Sequence, residues 1–320
     1  MIPVVHHPDY TAPLPPGASF PMDKYALTMQ ALQRSTAPMT LHAPEETPLD
    51  ALLAVHTQTY VEAILTCTLG PEETRRIGFP VTPRVVRRSL LASGGTWLAA
   101  RLARLHGFAA NSAGGSHHAH AGFGAGFCVL NDIAIAARRI LVSGDARRIL
   151  VIDLDVHQGD GTAAIFADDP QVFTFSMHCQ ANYPARKTQS DLDVSLAVGT
   201  DDACYLERLS HHLPDLMHRA DPDLIFYLAG VDPHINDKLG RLALTDDGLA
   251  DRDRMVAGAA QSAGIPLVSV MGGGYGDDIW AVASRHAQTI LTLGSAYGLS
   301  PKLSLSDHAE KPVCPREVVP

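Results

Sequence analysis

The sequence has no Cys-x-x-Cys pair, no internal repeat and no low-complexity linker. It also lacks any apolar run of the ~18–20 residues that a membrane span needs. Its five cysteines (Cys67, Cys128, Cys179, Cys204 and Cys314) are odd in number and irregularly spaced. That argues against a disulfide framework and for a reducing compartment. Met1–Pro16 has no basic region followed by an apolar stretch, so no secretory leader is expected and the protein is expected to be soluble and cytoplasmic. Basic charge is scarce, 25 Lys and Arg against 34 Asp and Glu. The resulting net charge of −9 argues against a direct nucleic-acid binder. An acidic surface tolerates cationic substrates such as lysine side chains or polyamines, without identifying one.

What is present is enough apolar material for a large core: 46% of 320 residues. Strand-like runs alternate with helical patterns, which favours one parallel α/β domain. Ile2–His6 reads as an edge strand, and Pro8–Pro21 as a proline-rich surface loop. Helices are expected over Asp23–Ser35, Pro48–Leu69, Val85–Leu105, Asn131–Leu141, Thr162–Phe166, Tyr205–His218, Asp246–Ala263 and Trp280–Leu293. Apolar strands are expected over Ile149–Leu154, Val172–Met177, Leu224–Leu228 and Pro266–Met271. The domain is expected over residues 1–298, with 299–320 as a loosely attached tail.

The most informative stretch is Leu150–Gly161. Asp153, Asp155 and His157 follow a β-branched run at spacing i, i+2, i+4, which on a strand places all three on one face. Open α/β sheets bind ligands at such strand ends. Two carboxylates and an imidazole converging there are costly unless they hold a cation. Asp232, in Gly-Val-Asp-Pro after another buried strand, is a candidate third ligand beside Asp155 and His157. Two carboxylates, one imidazole and an open position suit a catalytic Zn²⁺.

Gly114–Ala119 offers two adjacent histidines, His117 and His118, suited to proton transfer near neutral pH. Asp153 and Asp160 are candidate carboxylates behind the imidazoles, fixing tautomer and pKa. Met271-Gly-Gly-Gly-Tyr-Gly lacks the Lys-Ser/Thr of a P-loop and the spacing of a dinucleotide fingerprint. It reads better as close backbone approach to a ligand, with Tyr275 donating to a developing oxyanion. Phe127, beside Gly126, is either a packing residue or one wall of a slot for a lysine-like methylene stem.

Five motifs in order resemble the histone deacetylase family of the arginase–deacetylase fold. They are Gly-Gly-Ser-His-His-Ala (114–119), Gly-Phe-Cys-Val-Leu-Asn-Asp (126–132), Ile-Asp-Leu-Asp-Val-His-Gln-Gly-Asp-Gly (152–161), Ala-Gly-Val-Asp-Pro-His (229–234) and Gly-Gly-Gly-Tyr (272–275). The resemblance implies an eight-stranded parallel sheet flanked by helices, one catalytic zinc, and hydrolysis of the amide of an acylated amine. It assigns the zinc to Asp155, His157 and Asp232. It pairs His117 with Asp153, pairs His118 (general base and acid) with Asp160, and gives Tyr275 the acyl carbonyl. Gly126, Phe127 and Gly273 would meet the substrate. It implies one potassium at Asp153, Asp155, His157, Ser176 and Met177, and a second at Phe166, Asp169 and Val172.

Gln158 and the short 177–194 segment are similar to class IV members and their bacterial relatives, which raises fatty acyl as well as acetyl groups as leaving acids. Where bacterial relatives carry His-Arg-Phe-Pro-Met, this chain has Ala18-Ser19-Phe20-Pro21-Met22. The expected substrates are acylated lysines on proteins. The alternatives are small acylated amines such as acetylpolyamines, a binuclear manganese ureohydrolase, or a non-catalytic acyl-lysine-binding module.

Overall fold

A computed structural model describes residues 1–299, so the expected tail lies outside the described residues except for Leu299. Eight strands form one sheet in the order β2-β1-β3-β8-β7-β4-β5-β6, with every neighbouring pair parallel. They are β1 Ile2–Val5, β2 Met39–His42, β3 Phe108–Asn111, β4 Ile149–Asp153, β5 Val172–Cys179, β6 Leu192–Leu196, β7 Leu224–Leu228 and β8 Leu267–Val270. Among the described residues the α-helices are α1 Lys24–Arg34, α2 Leu49–Leu53, α3 Gln58–Leu65, α4 Pro71–Ile77, α5 Pro83–His106, α6 Asp132–Val142, α7 Asp160–Phe166, α8 Asp202–Ala220, α9 Asp246–Ser262 and α10 Ile279–Ala296. None of the described helices is long and apolar enough to cross a membrane.

The inner strands read as unbroken apolar runs because both faces are covered. Alternate residues feed two cores. Val5, Val151, Phe226 and Val268 face the layer containing α5 and α6. Val4, Leu150, Ile152, Ile225 and Leu267 face the layer built from α1, α8, α9 and α10. Local capping sets the helix starts: Asn131 accepts from the Ala134 N–H, Asp201 from Cys204, and Thr245 from Gly248.

Four expectations need correction. β1 is not an edge strand, because β2, with its weak four-residue pattern, pairs outside it. The Pro48–Leu69 segment is two helices, α2 and α3, separated at Ala54–Thr57. The Pro8–Pro21 loop is not simply on the surface. Its start is a 3-10 turn, Tyr10 is fully buried with its hydroxyl donating to Asn111 Oδ1 (2.9 Å), and Phe20 is buried among Tyr25, Phe79, Phe127 and Tyr275. Finally, β4 stops at Asp153, so Asp155 and His157 lie on the loop beyond it, not along one strand face.

Candidate active site

The strand ends of β3, β8, β7 and β4 lie side by side, so their C-terminal loops converge. Asp155 and His157 follow β4, Asp232 follows β7, the Gly272–Tyr275 loop follows β8 and the histidine pair follows β3. Backbone amides aim the carboxylates. Asp155 accepts from the N–H groups of His157 (3.0 Å, at Oδ1) and Gly273 (2.6 Å, at Oδ2). Asp232 Oδ1 accepts from Val156 N–H at 2.9 Å. The remaining Asp232 oxygen and Asp155 Oδ1 each lie 3.0 Å from His157 Nδ1.

These three buried residues offer one ligand atom each, all within 4.8 Å of one another. Two carboxylates and an imidazole nitrogen at that spacing fit a divalent zinc ion with a position left open. The electrostatics agree. Burial and the neighbouring Asp155 push Asp232 up to about 7. Burial alone would lower His157, but its bonds to Asp155 and Asp232 outweigh that and raise it to about 10. The pocket therefore favours a cation between the carboxylates. A Cβ on residue 273 would lie 1.8 Å from Asp232 Oδ2, so only glycine lets the β8 loop approach this closely.

Each histidine of the pair has a carboxylate behind it. His117 Nδ1 lies 2.7 Å from Asp153 Oδ2, and His118 Nδ1 lies 2.6 Å from Asp160 Oδ1. The two environments differ. Burial opposes the charge on His117, but Asp153 and Asp155 prevail and raise it to about 9. Burial and the charge of His117 lower His118 to about 4 in spite of Asp160. With Nδ1–H donating to Asp160, neutral His118 keeps the lone pair on Nε2.

Tyr275 is half-buried, with its ring 5.7 Å from Phe127 and 6.3 Å from His157. Burial, Asp155 and Asp232 hold its phenol well above the usual range, so it stays a proton donor. Phe127 takes a positive φ of 66° beside Gly126 at 52°. A side chain at 126 would strike His118. Phe127, Gly126, Gly273, Tyr275 and both histidines line one narrow cavity of about 20 Å³ that also reaches Phe20, Tyr25 and Arg88.

The expected potassium ligands are split into two places. Asp153 and Ser176 are register partners in β4 and β5, with Met177 next along β5. Phe166, Asp169 and Val172 form the turn between α7 and β5, where Asp169 pairs with Arg138.

Several residues of the site carried no local signal. Tyr183 stands edge-on over His118 at 4.8 Å. Buried Lys24 donates to the Gly272 carbonyl (2.6 Å) and sits 5.4 Å over the Tyr275 ring. Burial lowers its ammonium to about 8, against the pull of Asp232 and Asp155. Asp237 Oδ2 accepts from the Tyr275 N–H (2.7 Å), and His120 shares Asp160 with His118. Only the extra histidine in His-His-Ala-His could have been read from the sequence. Gln158, by contrast, spends its amide on the Thr188 backbone and Asp193.

The histone deacetylase domain family matches residues 19–291. An uncharacterised protein of Picosynechococcus is 51% identical over 287 residues, 89% of this chain and 96% of that protein. A probable deacetylase of Archaeoglobus fulgidus is 32% identical over 79% of this chain and 75% of its own length. A crystal structure of acetylpolyamine aminohydrolase from Burkholderia pseudomallei superposes with a TM-score of 0.74 at 21% identity, covering 92% of this chain and 99% of that one. The chain belongs to the histone deacetylase family.

Proposed function

We propose that this histone deacetylase family member is a zinc-dependent amidohydrolase that removes acetyl groups from lysine side chains. One observation carries the reading: two carboxylate-backed imidazoles and a phenol line one cavity, and Gly273 in its wall packs directly on Asp155 and Asp232 of the three-ligand cation site. Asp155, His157 and Asp232 would hold the ion, which supplies Lewis acidity toward the acyl carbonyl and the attacking water.

The chain's own groups do the rest. His118, held by Asp160 through Nδ1, presents Nε2 to take a proton from water and later returns it to the departing amine. His117, held by Asp153, presents its Nε2 side toward Asp155 at 4.0 Å and orients the reacting water. Tyr275 donates to the carbonyl oxygen as charge builds there. Phe127 and Gly126 flank the lysine stem, and the Gly273 backbone lies under it. The potassium sites at Asp153, Asp155, His157, Ser176 and Met177, and at Phe166, Asp169 and Val172, would be structural.

The cavity is narrow, about 20 Å³, and Tyr25 and Arg88 are among the residues that line it. That favours acetyl over long acyl groups. Zinc-loaded protein assayed on acetyl-lysine peptide, myristoyl-lysine peptide and an acetylated polyamine should turn over the first fastest. A myristoyl preference would refute the short acyl pocket, and a polyamine preference would move the substrate to small amines. Zinc-loaded protein that binds acetyl-lysine peptide without turnover would make it a binding module.

A further inference from the structure

Arg252 lies in the middle of α9 and is fully buried. A buried guanidinium costs several kcal/mol unless it is paired and hydrogen-bonded. Its neutralising partner is the adjacent Asp253, with Arg252 Nε 3.0 Å from Asp253 Oδ1. Asp253 is itself fixed from two further elements. The Tyr227 hydroxyl of β7 donates to Oδ1 at 2.5 Å, and the Thr289 hydroxyl of α10 donates to Oδ2 at 2.7 Å.

The pair is thus neutral and anchored without further help, yet the guanidinium reaches on toward the strand ends. Nη1 donates to the Gly230 carbonyl at 2.7 Å and points to the Leu154 carbonyl at 3.4 Å. Leu154 immediately precedes Asp155, and Gly230 stands two residues before Asp232. The ladder between β4 and β7 ends with the Leu154 N–H on Leu228 O (3.1 Å), and Arg252 bridges the two chains just past it. Gly230 also packs directly on Asp155: a Cβ there would lie 2.3 Å from Asp155 Oδ2.

We propose that Arg252 is a positioning residue of the cation site, whose fork ties together the loops bearing Asp155 and Asp232 and so sets zinc affinity. The inference rests on reading Asp155, His157 and Asp232 as the ligands. Arginine suits this because one planar fork meets a carboxylate and backbone carbonyls together, whereas lysine offers a point charge on a flexible stem.

The test is zinc affinity of the full-length protein, measured by competition with a chromophoric chelator, with the unfolding temperature of the metal-free form as the fold control. Arg252→Lys keeps the charge beside Asp253 and loses the fork. Its zinc Kd should rise about 10–100-fold, the usual cost of removing an outer partner of a metal ligand. A folded Arg252→Lys protein with wild-type Kd overturns the proposal. If that variant does not fold, Tyr227→Phe loosens Asp253 while keeping both charges. It should raise the Kd severalfold, and an unchanged Kd in the folded variant is the overturning result. His157→Ala separates the two layers of inference. Zinc binding as tight in His157→Ala as in wild type would reject the ligand assignment itself, and with it any role for Arg252 there.

Discussion

Two buried ionic clusters meet at the Leu154–Gly230 backbone, and they are built on opposite terms. The Arg252–Asp253 cluster is closed: one permanent cation, one carboxylate, and two hydroxyls that complete the carboxylate's hydrogen bonds. The strand-end cluster is open. It gathers Asp153, Asp155 and Asp232 around imidazoles that carry charge only when protonated. Burial raises Asp153, and burial with Asp155 raises Asp232 to about 7. Burial is common to both, so burial does not mark the functional site. Counter-charges that can be titrated away do, together with glycines that let backbone approach the carboxylates.

Neutralising one carboxylate in each cluster separates them most sharply. Asp253→Asn strands a buried guanidinium and should cost about 3–5 kcal/mol of stability in denaturant unfolding. Asp232→Asn relieves like charge in the metal-free protein, so its stability loss should be much smaller, while zinc uptake is lost. Equal stability losses would mean that both clusters are structural.

Tyr275→Phe should lower kcat by about 10²–10³, roughly 3–4 kcal/mol, with zinc affinity little changed. Wild-type turnover in that variant would remove the phenol from the chemistry.

His56 gives the smallest expected effect and a third kind of environment, buried with no counter-charge. Its Nδ1 lies 3.0 Å from the His120 carbonyl and its Nε2 accepts from the Asn131 N–H. Burial lowers it to about 4, only partly opposed by backbone hydrogen bonds. The unfolded chain binds this proton near pH 6.5, so the His56 contribution to stability is intact above that and is lost as pH falls toward 4. The slope is at most about 1.4 kcal/mol per pH unit. Subtracting the acid-unfolding profile of His56→Gln from that of wild type should isolate it, and parallel profiles would refute it.

Much of this was legible in the residues themselves. The strands β4, β5, β7 and β8 announce themselves as buried apolar runs, and most long helices start at capping residues such as Asn131 and Thr245. The short edge strands β2 and β6 did not, because four or five half-buried residues carry little pattern. At the site, Asp155, His157, Asp232, the histidine pair and Tyr275 were legible because their chemistry is improbable in a plain loop. Lys24, Asp237, Tyr183 and Arg252 were not. Each is an ordinary residue of a helix or loop until a distant segment packs on it.

Sequence by itself determined the parallel α/β class, the strands β4, β5, β7 and β8 with most of the long helices, and the set of groups able to hold a cation and move protons. These follow from local periodicity and residue chemistry, which neighbouring residues carry. Tertiary structure alone decided that Asp155 and His157 sit beyond the strand instead of on its face, that Lys24 and Tyr183 close on the site, and that an α9 arginine reaches the strand-end carbonyls. Those depend on contacts between residues tens to more than a hundred positions apart, such as Gly273 with Asp155, and only chain packing brings them within hydrogen-bond range.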